Sequence, residues 1–185
     1  MTTADASVRS ATVNDAPAVG QTQALVWQEA YDGVVPPQVH AVFDPQAFAT
    51  AWRDSLRTPP EGVHRLLVAC AGEQVIGFVA IGPSQDPDAG QTTGEITALG
   101  VHPMHRRQGH GSRLVNAAVD ILREAGAEHV ATWCLVEHES LRAFLSGSGL
   151  EPDGAYRDRV VSPDGDAARE VRLTAAVTDP PSSPA

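Results

Sequence analysis

Two cysteines, Cys70 and Cys134, are all that 185 residues contain, and no Cys-x-x-Cys spacing joins them. That is too few for a disulfide framework and offers no thiolate metal site. Both lie in apolar, strand-like runs, where a free thiol packs as a small hydrophobe. Long apolar runs are equally scarce, and none nears the roughly 18 residues that a membrane-crossing helix needs. Positive charge is in deficit. Thirteen basic residues stand against 23 acidic ones, a formal net charge of −10. Such a chain lacks the basic surface with which a nucleic-acid binder neutralises phosphates. The N-terminus, MTTADASVRS, has neither the basic start nor the apolar stretch of a secretory signal. The expectation is therefore a cytoplasmic protein with no nucleic-acid or membrane partner.

What is present describes an ordinary globular domain, 42% hydrophobic and 19% charged. Residues 1–177 read as one domain and residues 178–185, TDPPSSPA, as a disordered tail. A strand is expected over Ser7–Thr12. A helix capped by Asn14 or Asp15 follows, with Val19, Val26 and Ala30 on one stripe beside Trp27 and Tyr31, and Gly33 ending it. A second helix starts at Asp44-Pro45 and aligns Phe48, Trp52 and Leu56. HRLLVACA and VIGFVAIG flank a short turn as a hairpin. GEITALGV is the next strand, and a helix over about Gly109–Ala125 carries Leu114, Ala118 and Leu122 on its apolar face. EHVATWCLV is a strand, ESLRAFLSGSG a short helix, and two last strands fall near Ala155–Val161 and Arg169–Val177. Strands adjacent in sequence without a helix between them favour antiparallel pairing, so the class is mixed α/β with a mostly antiparallel sheet.

One loop concentrates chemistry. HRRQGHGSRL, residues 105–114, sets Arg106-x-x-Gly109-x-Gly111 between a strand and a helix. The first N–H groups of a helix lack internal partners and its dipole is positive there, which suits an anion. Glycines let phosphate oxygens approach the backbone, and Arg106 and Arg107 can add charge-assisted bonds. A Walker-type loop is excluded because no Lys-Ser/Thr follows the glycines. A dinucleotide fingerprint fails at Leu114, which stands where its third glycine belongs. A glycine-rich turn with solvated arginines remains the plain alternative. His102, His105 and His110 cluster in the same stretch, but no acidic or Cys partner completes a zinc set, so no metal is expected.

From Gly94 to Gly111 the chain resembles the coenzyme A-binding core of the GNAT superfamily of N-acetyltransferases. The strand EITALGV and the loop HPMHRRQGHG carry the likeness, with Arg106-x-x-Gly109-x-Gly111 fitting the family's Arg/Gln-x-x-Gly-x-Gly/Ala. LRAFLSGSGLEPDG resembles the family's later helix and the Gly-hydrophobic segment after it, and the element order agrees over residues 7–177. The resemblance implies a GNAT-type fold that binds acetyl-CoA between two splayed strands. Leu99, Gly100 and Val101 would meet the pantetheine. Arg106, Arg107, Gln108, Gly109, His110, Gly111 and Ser112 would hold the pyrophosphate.

It further implies acetyl transfer to a primary amine, on a small molecule or a peptide, by direct attack in a ternary complex. Glu95 is the expected base, acting through a water and sharing strand parity with Thr97, Leu99 and Val101 if no bulge intervenes. Trp27 and Tyr31 are expected to contact the acceptor as well as the core. The Tyr that many relatives carry is replaced by Leu145, and the family's frequent Asn before that helix is replaced, with Glu137 nearest to it; either the thiolate leaves without a side-chain acid, a water serves, or another group such as His138 or Tyr156 substitutes. The alternative is a non-catalytic acyl-CoA-binding or sensing module of the same fold. Dimers are common in the family, so a homodimer is a further expectation.

Overall fold

The computed structural model describes residues 6–177, so the expected tail 178–185 lies outside the described residues. Seven strands alternate with four α-helices: β1 (Ala6–Ser10), α1 (Ala16–Tyr31), α2 (Pro45–Arg57), β2 (Arg65–Ala71), β3 (Gln74–Pro83), β4 (Thr93–Val101), α3 (His110–Glu124), β5 (His129–Leu135), α4 (Glu139–Gly147), β6 (Glu151–Val160) and β7 (Ala167–Ala176). The strands form one sheet in the order β1-β2-β3-β4-β5-β7-β6. Every neighbouring pair is antiparallel except β4–β5. A parallel pair requires a crossover, and α3 supplies it.

The sheet is the middle layer. Leu114, Val115, Ala118 and Leu122 of α3 and Leu145 of α4 pack with Val79, Ile81 and Ile96 on one face. Val19 of α1, with Trp27, Trp52 and Leu56 beside it, covers Val68, Phe78 and Ala80 on the other. The apolar stripes read from α1, α2 and α3 thus all face the sheet. Helix α2 begins where expected, since the Asp44 carboxylate accepts the Ala47 N–H at 2.8 Å. Helices α1 and α2 cross closely at Gly20. A Cβ there would lie 2.6 Å from the Ala49 nitrogen and the Pro45 oxygen, both backbone atoms that cannot swing aside.

Strand β6 starts at Glu151, four residues before its expected position. Pro152 and Gly154 (φ +89°) read as breakers in the sequence, yet they sit in an edge strand at a register shift between Pro152 and Tyr156. An edge strand tolerates both. A short 3-10 turn over Pro103–His105 was likewise not foreseen; the His102 imidazole accepts the Met104 N–H at 3.3 Å to start it.

Candidate active site

The site is built where the sheet comes apart. β4 pairs with β5 only from Thr93 to Ile96, against His129 to Thr132. The Thr132 hydroxyl donates to the Ile96 carbonyl at 2.9 Å and closes that ladder. Beyond it β4 runs on to Val101 and β5 to Leu135 without pairing to each other. The divergence coincides with a bulge. Across β3, Ile81 pairs with Ile96 but Ala80 pairs with Ala98, leaving Thr97 as the extra residue. A bulge bends its strand and sharpens the local twist, and here that bend opens the β4–β5 seam.

The bulge corrects the expected parity. Ile96 and Leu99 face α3 with Ile81 and Val79. Glu95 pairs with Gly82 and so shares the opposite, α1/α2 face with Ala98 and Gly100, whose Cα lies against Phe78 and Val26. Glu95 therefore points away from the side chains of Leu99 and Val101. The backbone of those two residues is placed differently. His102 N–H donates to the Ile76 carbonyl at 2.8 Å. Alternation along an antiparallel pair then turns Gly100 and Ala98 toward β3, and the N–H and C=O groups of Leu99 and Val101 toward the open seam.

At the end of β4 the chain makes the expected loop. Arg107 has φ +62° and Gly109 φ +81°; a non-glycine residue in that region is uncommon and marks a backbone constrained by its surroundings. The first helical bond of α3 runs from Arg113 N–H to the Gly109 carbonyl at 3.1 Å. Among the described residues, no acceptor meets the N–H groups of residues 107–112. Six successive free donors at a helix start form an anion-receptive concavity. Arg107, Gln108, Gly109 and Ser112 are exposed there, while His110 is buried and burial lowers its imidazole pKa. Gly111 has a role the sequence did not show. A Cβ on it would stand 3.1 Å from the Phe144 ring, so its missing side chain also lets α4 sit close against α3.

Arg106 faces inward across the mouth of the seam. Its two terminal nitrogens grip the Glu29 carboxylate of α1 at 2.7 and 2.8 Å, and its Nε donates to the Val101 carbonyl at 3.2 Å. These bonds hold the Glu29 carboxyl below the usual carboxylate range. Glu29 is thus an internal partner of the loop.

A cavity fills the seam. Trp27 and Tyr31 of α1, Ile96 to Leu99 of β4, and Thr132 to Leu135 of β5 line it, together with His138, Leu141, Leu145, Arg159 and Glu170. Both aromatics are also core residues, Trp27 lying 6.3 Å from Phe78 and Tyr31 5.0 Å from Phe43 between ring centres. Glu95 sits just outside the lining, beneath the β3–β4 loop, where the Ser84 hydroxyl donates to it at 3.2 Å. Burial, then the neighbouring Asp86 carboxylate, push the Glu95 pKa up; the Ser84 bond and Arg157 only partly offset this. Asp86 is itself anchored by the Trp133 indole N–H at 3.0 Å and by Arg172 at 3.3 Å.

The residues around α4 also resolve. Leu145 is 1% exposed and offers no proton. His138, not Glu137, stands at the N-terminus of α4 and reaches the cavity. Tyr156 lies on β6 outside the cavity, 66% exposed with the Arg169 guanidinium 5.1 Å above its ring. Among the described residues no three His, Cys, Asp or Glu side chains are grouped to hold a metal, and no helix is long and apolar enough to cross a membrane.

A sheet opened at its one parallel pair, beside a donor-rich helix start, defines the class of this protein, a mixed α/β domain with a split sheet. The family described as "Acetyltransferase (GNAT) family" matches residues 27–149, and the chain belongs to it. It is 31% identical over 135 residues to the mycothiol acetyltransferase of Corynebacterium glutamicum (strain R), covering 69% of this chain and 41% of that protein. It is also 31% identical over 94 residues to the mycothiol acetyltransferase of Saccharopolyspora erythraea, covering 50% and 30%. The chain thus spans less than half the length of these relatives. The fold matches that of the PaiA N-acetyltransferase of Thermoplasma acidophilum, solved with coenzyme A, at a TM-score of 0.72 and 14% identity over 93% of this chain and 99% of that one.

Proposed function

We propose that this protein is an acetyl-CoA-dependent N-acetyltransferase that passes the acetyl group directly to a primary amine. The observation that carries this reading is the continuity of free backbone groups. The outward-facing N–H and C=O of Leu99 and the N–H of Val101, whose carbonyl already accepts from Arg106, lead into the unpartnered N–H groups of residues 107–112. A pantetheine amide chain adds to such an edge as a strand would, and the pyrophosphate meets the helix start. The thioester then lies in the seam cavity, with the acceptor arriving from the α1/α2 face. The amine nitrogen adds to the thioester carbonyl carbon, the C–S bond breaks, and the proton shed by nitrogen passes through a water to Glu95. Holding both substrates together removes much of the barrier without a covalent enzyme intermediate. The excess of acidic residues and the named activities of the relatives are consistent with an amine acceptor, on a small molecule or a peptide.

The test is a thermal melt with acetyl-CoA, CoA, NAD and ATP side by side, followed by thiol release with an amine panel. A ligand at a hundred times its Kd adds about 2.7 kcal/mol. Stabilisation by the two coenzymes alone, with thiol release, is expected. Stabilisation by NAD or ATP, or by none of the four, overturns the reading. Binding without release on any amine favours the second reading, an acyl-CoA-binding module, which rests on the loss of an acid at Leu145. All thirteen basic residues are arginine, so the protein has no lysine of its own to be acetylated and to confuse the assay.

Glu29→Gln is expected to tighten acetyl-CoA binding about two- to five-fold at low salt, because it leaves Arg106 uncompensated beside the phosphate loop. An exposed pair is worth at most about 1 kcal/mol and is screened by salt, so the gain should vanish in high salt. Titration calorimetry at two ionic strengths checks both.

A further inference from the structure

We infer that Tyr31, from α1, is the proton donor to the departing thiolate, in place of the acid that α4 lacks at Leu145; this rests on the acetyl-CoA reading above. Tyr31 lines the same cavity as Leu145 and the unpaired stretch of β4. The ring is 4% exposed and fixed against Phe43, and among the described residues its hydroxyl has no hydrogen-bond partner. A phenol that lines a cavity with its proton unspent is free to donate to a ligand there.

The other proton carriers in the lining are unsuited. The hydroxyls of Thr97 and Thr132 already donate to the Ala80 and Ile96 carbonyls at 3.3 and 2.9 Å. Cys134 packs in the core on the α3 side of the sheet, opposite the face that α1 covers. Glu170 and Arg159 face each other at 3.6 Å, and Glu170 also holds Arg157 at 2.7 Å. Burial and the nearby Arg106 keep His138 low, so at neutral pH it is a neutral imidazole and a poor acid. Tyr31 is held in its protonated form. Burial is the main cause, reinforced by the Glu170 carboxylate and opposed by Arg159 and Arg157.

The step balances. As the C–S bond breaks, the sulfur keeps the bonding pair and takes the phenolic proton; the phenolate is then reprotonated from solvent. Tyr31 and Glu95 act on different protons, the first delivering one to sulfur and the second receiving one from nitrogen.

The test needs no acceptor. Free CoA is bound to the protein, and its thiol is titrated by thiolate absorbance against the ligand-free protein and against desulfo-CoA. A hydrogen bond from Tyr31 should lower the thiol pKa of bound CoA by about one to two pH units, and Tyr31→Phe should abolish that shift while leaving CoA affinity within about three-fold. An unshifted thiol in the wild-type complex overturns the proposal whether or not the variant folds. So does an identical shift in Tyr31→Phe. Failure of CoA to bind the wild type is a different result, and it overturns the acetyl-CoA reading instead.

Discussion

Gly109→Asp should weaken CoA binding by about 100-fold or more, whereas Gly109→Asn should cost less than about ten-fold. Position 109 caps α3 with φ +81°, a conformation that strains most side chains but that Asn and Asp tolerate best. The two variants therefore share nearly the same steric and backbone cost, and they differ in one charge. At about 4 Å and an effective dielectric near 20, a carboxylate beside one phosphate charge costs about 4 kcal/mol, enough for the expected loss even after screening. The position has a second effect. A Cβ there would lie 3.5 Å from the Arg113 guanidinium, so an aspartate would also draw that cation away from the ligand. Calorimetry on both variants, with melting temperatures to confirm the fold, decides the matter. Equal affinities for Asp and Asn would mean that no phosphate approaches this helix start.

How far the sequence carried depends on which forces each feature answers to. The helices were legible because apolar stripes and caps are local: Asp44 caps α2, and Leu114, Ala118 and Leu122 are all buried as their spacing requires. The loop that leads into α3 was legible for the same reason, since its glycines and the following helix are neighbours in sequence. What escaped was set by cross-strand register. Nothing in GEITALGV signals that Thr97 is an extra residue, because a bulge is defined by the partner strand. That one residue moved Glu95 to the opposite face from Leu99. The Arg106–Glu29 pair joins residues 77 positions apart in the chain, and only the fold brings such a pair together. Gly111 also has a neighbour that its local sequence does not show, the Phe144 ring of α4, because α3 and α4 meet only in the fold.

Glu95→Gln should cut kcat by about 100-fold, within the usual range for loss of a general base, and leave CoA affinity unchanged. The geometry accounts for both halves of the expectation. Glu95 lies on the α1/α2 face, across the strand from the side of Leu99 and outside the cavity lining, so it has no part in holding the coenzyme. A base working near neutral pH is aided by a raised pKa, and burial with Asp86 alongside supplies one. The acid limb of the wild-type kcat profile should therefore fall above the ordinary glutamate value of about 4.3. The same raised pKa fixes the sign of a stability effect. A carboxyl whose folded-state pKa exceeds its unfolded value contributes fully below the unfolded pKa, and that contribution is lost as pH rises through the folded one. At neutral pH the Glu95 carboxyl is thus a cost to the fold, and Glu95→Gln should melt higher than the wild type there, with the difference shrinking toward acid pH. A variant that loses turnover and gains stability together marks a residue kept for chemistry. If Glu95→Gln instead lost stability at neutral pH with turnover intact, Glu95 would be a structural partner of Ser84 and the base would have to be sought elsewhere.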